Sequence, residues 1–281
     1  MTTKAPNLAG KTALVTGASR GIGRAISQRL AAAGATVVAT ARSLDKPLVL
    51  PGTLMETVAL IESAGGRVIP LVRDLENPQD RDSLVAQAAE RAGGLDILVN
   101  VAGFTNFCLV ESMSLEIFEL TVDHYFRVPF VLSKAAIPIM RAAGAGWIVN
   151  IGSGTEYMPK LPFTKFDSTM GISVYGAIKL ALHRFTAGLA AELEADNIAV
   201  NMAIPNGAIK TPGGDRLNHP DGPFEPIEYL AETTLALCHL PAKERTGTVA
   251  YSIQFALDKH IPVFSLDGRT ELPPLKVPLS I

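Results

Sequence analysis

Tyr175 and Lys179 stand four residues apart in the run Ser173 to Ala195, whose apolar residues recur at helical spacing. Both side chains therefore share one helix face and lie within reach of each other. A phenol with a pKa of about 10 is a poor general base at neutral pH, but a nearby ammonium stabilises its phenolate. At about 4 Å and an effective dielectric of about 20, the attraction is roughly 4 kcal/mol, an upper bound of about three pKa units. Such a shift would bring Tyr175 close to working pH, where proton transfer is most efficient. Proton transfer is one half of the interconversion of a carbonyl and an alcohol, and the other half is a hydride.

A hydride carrier has a place in this chain. Thr16-Gly17-Ala18-Ser19-Arg20-Gly21-Ile22-Gly23 lies between a first apolar run and a first helical run. Glycines there let the backbone turn tightly and approach a ligand, while the helix N-terminus offers unpaired N–H groups to a pyrophosphate. Nicotinamide cofactors differ at the adenine ribose, where a carboxylate after the second strand suits the free 2′-hydroxyl and an arginine suits a 2′-phosphate. Here that strand ends Ala41-Arg42, with no Asp or Glu in the position NAD would use, and Arg20 sits in the neighbouring loop. Two guanidiniums able to converge on one phosphate point to NADP(H) rather than NAD(H).

The elements that must hold these residues alternate. Strands are expected at Thr12 to Thr16, Thr36 to Ala41, Gly66 to Leu71, Leu95 to Asn100, Gly146 to Ile151 and Ile198 to Ile204, and Thr246 to Val249 looks like the turn into a last one. Helices are expected at Ile22 to Ala33, Leu54 to Ala64, Gln79 to Ala92, Leu115 to Arg141 as one long helix, and Ser173 to Ala195. Apolar β-branched strands alternating with helices predict an α/β fold, a doubly wound parallel sheet covered on both faces. No Pro/Ser-rich linker interrupts the pattern, so one domain over residues 1–281 is expected. Two stretches rich in Gly, Pro and polar residues, 152–171 and 206–226, are the expected substrate loops.

Composition narrows the partners. Lys plus Arg total 25 and Asp plus Glu 27, which gives no electrostatic case for nucleic acid or an anionic membrane. No stretch approaches the roughly 20 uncharged apolar residues of a membrane span. Cys108 and Cys238 lie far apart with no metal-ligand spacing around them, and the first ten residues carry no signal pattern, so a reduced cytoplasmic protein without a bound metal is expected.

Taken in order, the glycine loop, Asp74 after the third strand, Asn100-Val101-Ala102-Gly103 after the fourth, Ser153 after the fifth and Tyr175-Gly-Ala-Ile-Lys179 resemble the short-chain dehydrogenase/reductase family. The resemblance runs from about Leu8 to Gly247. Leu50-Pro51-Gly52-Thr53, a helix and then Ala64-Gly65-Gly66 are similar to its hydroxysteroid dehydrogenase-like branch. By that likeness Asp74 and Leu75 contact the adenine, and Asn100, Ala102 and Gly103 line the cofactor cleft. Pro205, Gly207, Ile209 and Thr211 meet the nicotinamide and its phosphates. Ser153 holds the substrate oxygen, Tyr175 moves the proton, and Lys179 tunes it and binds the ribose. An oxidoreductase acting on a small-molecule ketone or secondary alcohol is implied, assembled as a homotetramer or homodimer.

Two departures bear on the site. Ser153 and Tyr175 are further apart than is common, because Tyr157 to Met170 forms an inserted loop, expected to wall the pocket with Tyr157, Leu161, Phe163 and Phe166. With Phe104, Phe107, Met202 and Leu217 these suggest an apolar pocket and a bulky apolar substrate. The family's fourth helix carries an Asn that helps hold a water linking the lysine to solvent, and Tyr125 falls in its place. Either the Tyr125 hydroxyl holds the water, or His124 substitutes in a distorted helix, or the relay is absent. Absence would suit a nucleotide-binding sensor or partner protein with little turnover. The C-terminal stretch from Val263, with Pro273-Pro274 and Pro278, is expected to pack on a neighbouring subunit or to cover the pocket.

Overall fold

Strands with both faces buried form the centre, as their unbroken apolar runs require. A computed structural model describes residues 6–104, 106–213 and 224–275. Its strands are β1 Thr12–Thr16, β2 Thr36–Ala41, β3 Arg67–Val72, β4 Ile97–Asn100, β5 Gly146–Ile151, β6 Ile198–Ile204 and β7 Val249–Tyr251. They make one sheet in the order β3-β2-β1-β4-β5-β6-β7, every neighbouring pair parallel. The order reverses between β1 and β4, and ligands bind such sheets in the crevice beyond the strand ends at that point.

Alternation along each strand divides the core in two. Ala13, Val15, Val37, Ala39, Ile97 and Val149 face α1 (Gly21–Ala32), α2 (Leu54–Ser63) and α8 (Ile227–Ala236). Leu14, Val38, Leu98, Ile148 and Val200 face α3 (Pro78–Ala92), α5 (Val128–Ala143) and α7 (Ser173–Leu193). A buried ion pair, Arg29 to Glu232 at 2.6 Å, ties α1 to α8. Among the described residues, no helix is long and apolar enough to cross a membrane.

The expected single helix from Leu115 to Arg141 is interrupted. α4 (Leu115–Val122) passes into a π-helical turn, Asp123–Arg127, before α5 begins. Pro129 is the physical cause. It has no N–H for the carbonyl four residues earlier and its ring crowds that carbonyl, so the turn widens ahead of it.

Three further helices were not foreseen: α6 (Lys165–Thr169) inside the inserted loop, α8, and α9 (Ser252–Asp258) after β7. Of the C-terminal stretch, expected to pack on a neighbouring subunit or to cover the pocket, the described residues 263–275 pack on α8 and α9 and do not line the cleft. Val263 packs with Tyr229 and Ile253 of α8 and α9, Leu272 N–H donates to the Val263 carbonyl, and Leu275 N–H donates to the Tyr229 hydroxyl. Pro278 lies outside the described residues.

Candidate active site

β1 ends at Thr16, whose hydroxyl accepts hydrogen bonds from the Val101 and Ala102 amides, each at 2.9 Å. That pins the glycine loop to the end of β4. Gly17 adopts φ +65°, and a Cβ there would stand 3.0 Å from the Ala102 Cα. At Gly23 a Cβ would meet the Gly17 carbonyl oxygen at 2.3 Å, so helix and loop can close only on glycine. α1 then starts with no side-chain cap and no acid in its first turn, leaving its first N–H groups facing the cleft without a built-in anion.

The cleft is about 1940 Å³, room for a dinucleotide and a further small molecule. Gly17, Ser19, Arg20, Gly21, Ile22 and Gly23 line its floor, Ala102 and Gly103 one wall, and Pro205, Gly207, Ile209 and Thr211 its far edge. Asn100 departs from expectation. It is buried between strands, where its Nδ2 donates to Asn150 Oδ1 at 2.8 Å, and it braces β4 against β5 rather than lining the cleft.

At the end of the cleft beyond β2 and β3, Arg42, Asp74 and Leu75 are part of the lining, with Arg20 and Arg73. The sequence reading found no acid beside Arg42, yet Glu76 reaches it from the β3–α3 connection at 2.8 Å. Asp74 is no helix cap, since Asn77 caps α3, and its Oδ1 instead accepts the Glu76 amide at 3.0 Å. His124 reaches the same carboxylate through Nε2 at 3.2 Å. The widened turn thus sends His124 toward Glu76 and not toward Lys179. Burial holds its imidazole below the ordinary pKa, against the pull of Glu76.

Tyr175 and Lys179 lie on one face of α7, as their spacing requires. Lys179 is buried, and its Nζ donates to the Ile151 carbonyl at 2.8 Å. Nζ stands 4.3 Å from the centroid of the Tyr125 ring and 5.7 Å from that of Tyr175. Ser153 sits at the end of β5 beside Tyr175, with its hydroxyl 2.9 Å from that of Thr155.

The expected depression of the Tyr175 pKa is not what this geometry produces. Burial pushes the phenol up to about 12, with Ser153 pulling it partly back. Burial also pushes Lys179 down to about 7, with Glu156 opposing. Burial thus works against both the phenolate and the ammonium, and the Ile151 carbonyl, the Tyr125 ring face and Glu156 only partly compensate the ammonium.

Tyr125 occupies the position between them as a ring. It meets Tyr175 edge to face at 5.1 Å, and its hydroxyl donates to the Phe104 carbonyl. A Cβ at Gly103 would lie 2.4 Å from that ring, so the bare glycine is what admits a tyrosine here. The hydroxyl proton is given to that carbonyl, so in this arrangement the first of the three relay alternatives has only the acceptor side of the oxygen to work with.

Of the expected pocket residues, Phe104, Phe107, Tyr157 and Phe166 line the cleft, and the Phe107 ring packs tilted against Tyr175 with centroids 4.9 Å apart. Leu161 and Phe163 point to solvent, while Met202 is buried with Leu182 and Ile204 beneath Gly152. Leu217 lies outside the described residues. Two residues went unread in the sequence: Glu156, in the turn after Ser153, and His183, one turn beyond Lys179, joined at 2.8 Å. The helical spacing of Lys179 and His183 was a usable signal.

Comparison with known proteins agrees with this fold. The family model for short chain dehydrogenases matches residues 11–221. Hydroxysteroid dehydrogenase-like protein 2 of Danio rerio is 32% identical over 256 residues, 90% of this chain and 58% of the relative. The chain thus spans about half the length of the curated relatives it matches. A dehydrogenase/reductase from Sinorhizobium meliloti 1021 is similar in structure with TM-score 0.73 and 32% identity, covering 88% of this chain and 95% of that one. A 3-oxoacyl (acyl-carrier-protein) reductase from Agrobacterium tumefaciens C58, solved with NADP bound, has TM-score 0.74 and 26% identity, covering 87% and 93%.

Proposed function

The chain belongs to the short-chain dehydrogenase family, and on that premise we propose that it interconverts an apolar ketone and its secondary alcohol with NADP(H), Tyr175 moving the proton. The observation that carries this reading is that Ser153, Tyr175 and Lys179 meet on the wall of one cleft whose floor is the glycine loop.

The uncapped α1 N-terminus with Ser19 would hold the pyrophosphate, Arg42 and Arg20 a 2′-phosphate, and Asp74 and Leu75 would flank the adenine. Ala102, Gly103, Pro205, Gly207, Ile209 and Thr211 would bound the nicotinamide half. Glu76 competes for Arg42, but a 2′-phosphate carries more charge than a carboxylate and engages a guanidinium through paired hydrogen bonds. The relative with NADP bound supports the same choice. When bound, the cofactor exchanges the hydride and brings phosphate charge into the cleft.

This chain's residues do the rest. Ser153 donates a hydrogen bond that fixes the substrate oxygen near the Tyr175 hydroxyl. With its pKa at about 12, Tyr175 rests as a neutral phenol, ready to give its proton to that oxygen during reduction. In oxidation it must accept a proton as phenolate, and the Lys179 ammonium is the charge that stabilises it. Phe104, Phe107 and Phe166 supply apolar walls, which favours a bulky apolar substrate over a sugar. A cytoplasmic homotetramer or homodimer completes the reading, checked by mass in solution.

The test is cofactor oxidation across a panel of ketones of graded size and polarity, with NADPH and NADH side by side. Turnover with NADPH on apolar ketones supports the reading. Tight NADPH binding with no turnover on ketones or alcohols would return the chain to a binding role.

A further inference from the structure

Each turnover that consumes the Tyr175 proton must be followed by delivery of another from solvent, and Lys179 behind Tyr175 is buried. On one side Lys179 is sealed. The face of the Tyr125 ring covers Nζ at 4.3 Å, the Tyr125 hydroxyl gives its proton to the Phe104 carbonyl away from Nζ, and the ring packs directly on Gly103. An apolar ring face relays no protons, so an asparagine-held water has no counterpart there.

The other side is built differently. Glu156 is 6% exposed, held in the turn Gly154–Glu156 directly after Ser153. Its Oε1 meets His183 Nδ1 at 2.8 Å, and its Oε2 is buried with no protein partner. A carboxylate oxygen left unpaired in the interior is where an ordered water belongs. His183 follows Lys179 by one turn on α7, and its side chain is 33% exposed, so the Glu156–His183 pair leads outward to solvent.

We propose that Glu156 and His183 form the proton path between Lys179 and solvent, replacing the route that Tyr125 closes. In the reductive direction Tyr175 gives its proton to the substrate oxygen, and the phenolate recovers one from the Lys179 ammonium. The neutral amine takes a proton from the Glu156 carboxyl by way of a water on Oε2. The carboxylate is reprotonated through His183, whose ring gives up a proton at Nδ1 as it gains one from water at Nε2. One proton enters from solvent per hydride transferred, and oxidation runs the same path backwards.

The groups facing Glu156 are Lys179 and His183 from α7 and Tyr251 from β7. Burial raises the Glu156 carboxyl and lowers the Lys179 amine, which draws donor and acceptor toward each other, the condition under which proton transfer is efficient.

The proposal rests on the reading of the site as an oxidoreductase, and two assays separate their failures. In weak buffer at pH 7, His183→Ala should lower kcat about tenfold or more, with imidazole restoring it as its concentration rises and the single-turnover hydride step unchanged. Glu156→Gln should lower kcat without imidazole rescue. In the cofactor-free protein, where no turnover is needed, Glu156→Gln should move the Lys179 titration, followed by its 13Cε resonance, to lower pH. Wild-type kcat in His183→Ala, a loss that imidazole does not repair, or an unmoved Lys179 titration overturns the path. If the wild-type protein turns over no substrate, the proposed function falls and the Lys179 titration alone decides the coupling.

Discussion

Replacing Lys179 by methionine should stabilise the protein at neutral pH. Methionine has nearly the length of lysine and no charge. Burial lowers the lysine pKa from its ordinary 10.5 to about 7, and at about 1.4 kcal/mol per unit the buried ammonium opposes folding by roughly 5 kcal/mol at most. Loss of the bond from Nζ to the Ile151 carbonyl and of the contact with the Tyr125 ring offsets about 2 kcal/mol of that. A net gain of about 3 kcal/mol at pH 7 remains. A lysine with a depressed folded pKa carries this cost in full below pH 7 and loses it as the pH approaches 10.5, because only the unfolded chain still releases a proton there. The gap between variant and wild type should therefore narrow by about 1.4 kcal/mol per pH unit above pH 7. Urea unfolding of both proteins at several pH values between 7 and 9 measures it, with equal slopes confirming that only stability has changed. A variant less stable than wild type at pH 7, or a gap that ignores pH, would refute the desolvated ammonium and the burial argument behind it.

Tyr125→Phe removes only the hydroxyl on the Phe104 carbonyl and should cost about 1 kcal/mol. Tyr125→Leu also removes the ring from Lys179 and Tyr175 and should cost about 2 kcal/mol more; equal thermal denaturation midpoints for the two would contradict the ring's role. Glu225 is buried against the Ser252 hydroxyl and the Gly207 amide, and burial raises its carboxyl from 4.5 to about 7. A raised carboxyl pKa gives stability that is full below pH 4.5 and lost as pH climbs through 7, so wild type should lose up to about 3 kcal/mol across that window and Glu225→Gln should not. Arg42→Asp should weaken NADPH binding about tenfold or more and favour NADH, as read by fluorescence titration; unchanged preference would show that Arg42 does not meet the 2′-phosphate.

The strands were the most legible part. β1, β2, β5 and β6 fall where their apolar runs predict, because a strand buried on both faces has nothing to alternate with. The glycine loop was legible for a similar reason, since Gly17 and Gly23 answer to sterics that no other residue satisfies. α8 was invisible because Tyr229 through Ala236 are all buried, which leaves no polar face to mark a helical period. The π-turn left only a partial mark: Pro129 stands inside the supposedly continuous helix, but so does Pro138, which α5 holds without a break. At the site, the helix spacing of Tyr175 and Lys179 was readable, but the direction of their pKa shifts was not. Those depend first on burial, and then on Ser153 and Glu156, distant in the chain. Glu76 beside Arg42 and Glu156 beside His183 were missed for the same reason, as tertiary pairs with no local period.

The central claim is that Tyr175 moves the proton in a cleft that binds the cofactor independently of it. Tyr175→Phe keeps the ring that packs on Phe107 and Tyr125 and deletes only the hydroxyl. Steady-state turnover and NADPH affinity measured on the same preparation should show activity reduced by about a hundredfold or more, with affinity within about twofold of wild type. Turnover retained in Tyr175→Phe, with the fold intact, would contradict the account.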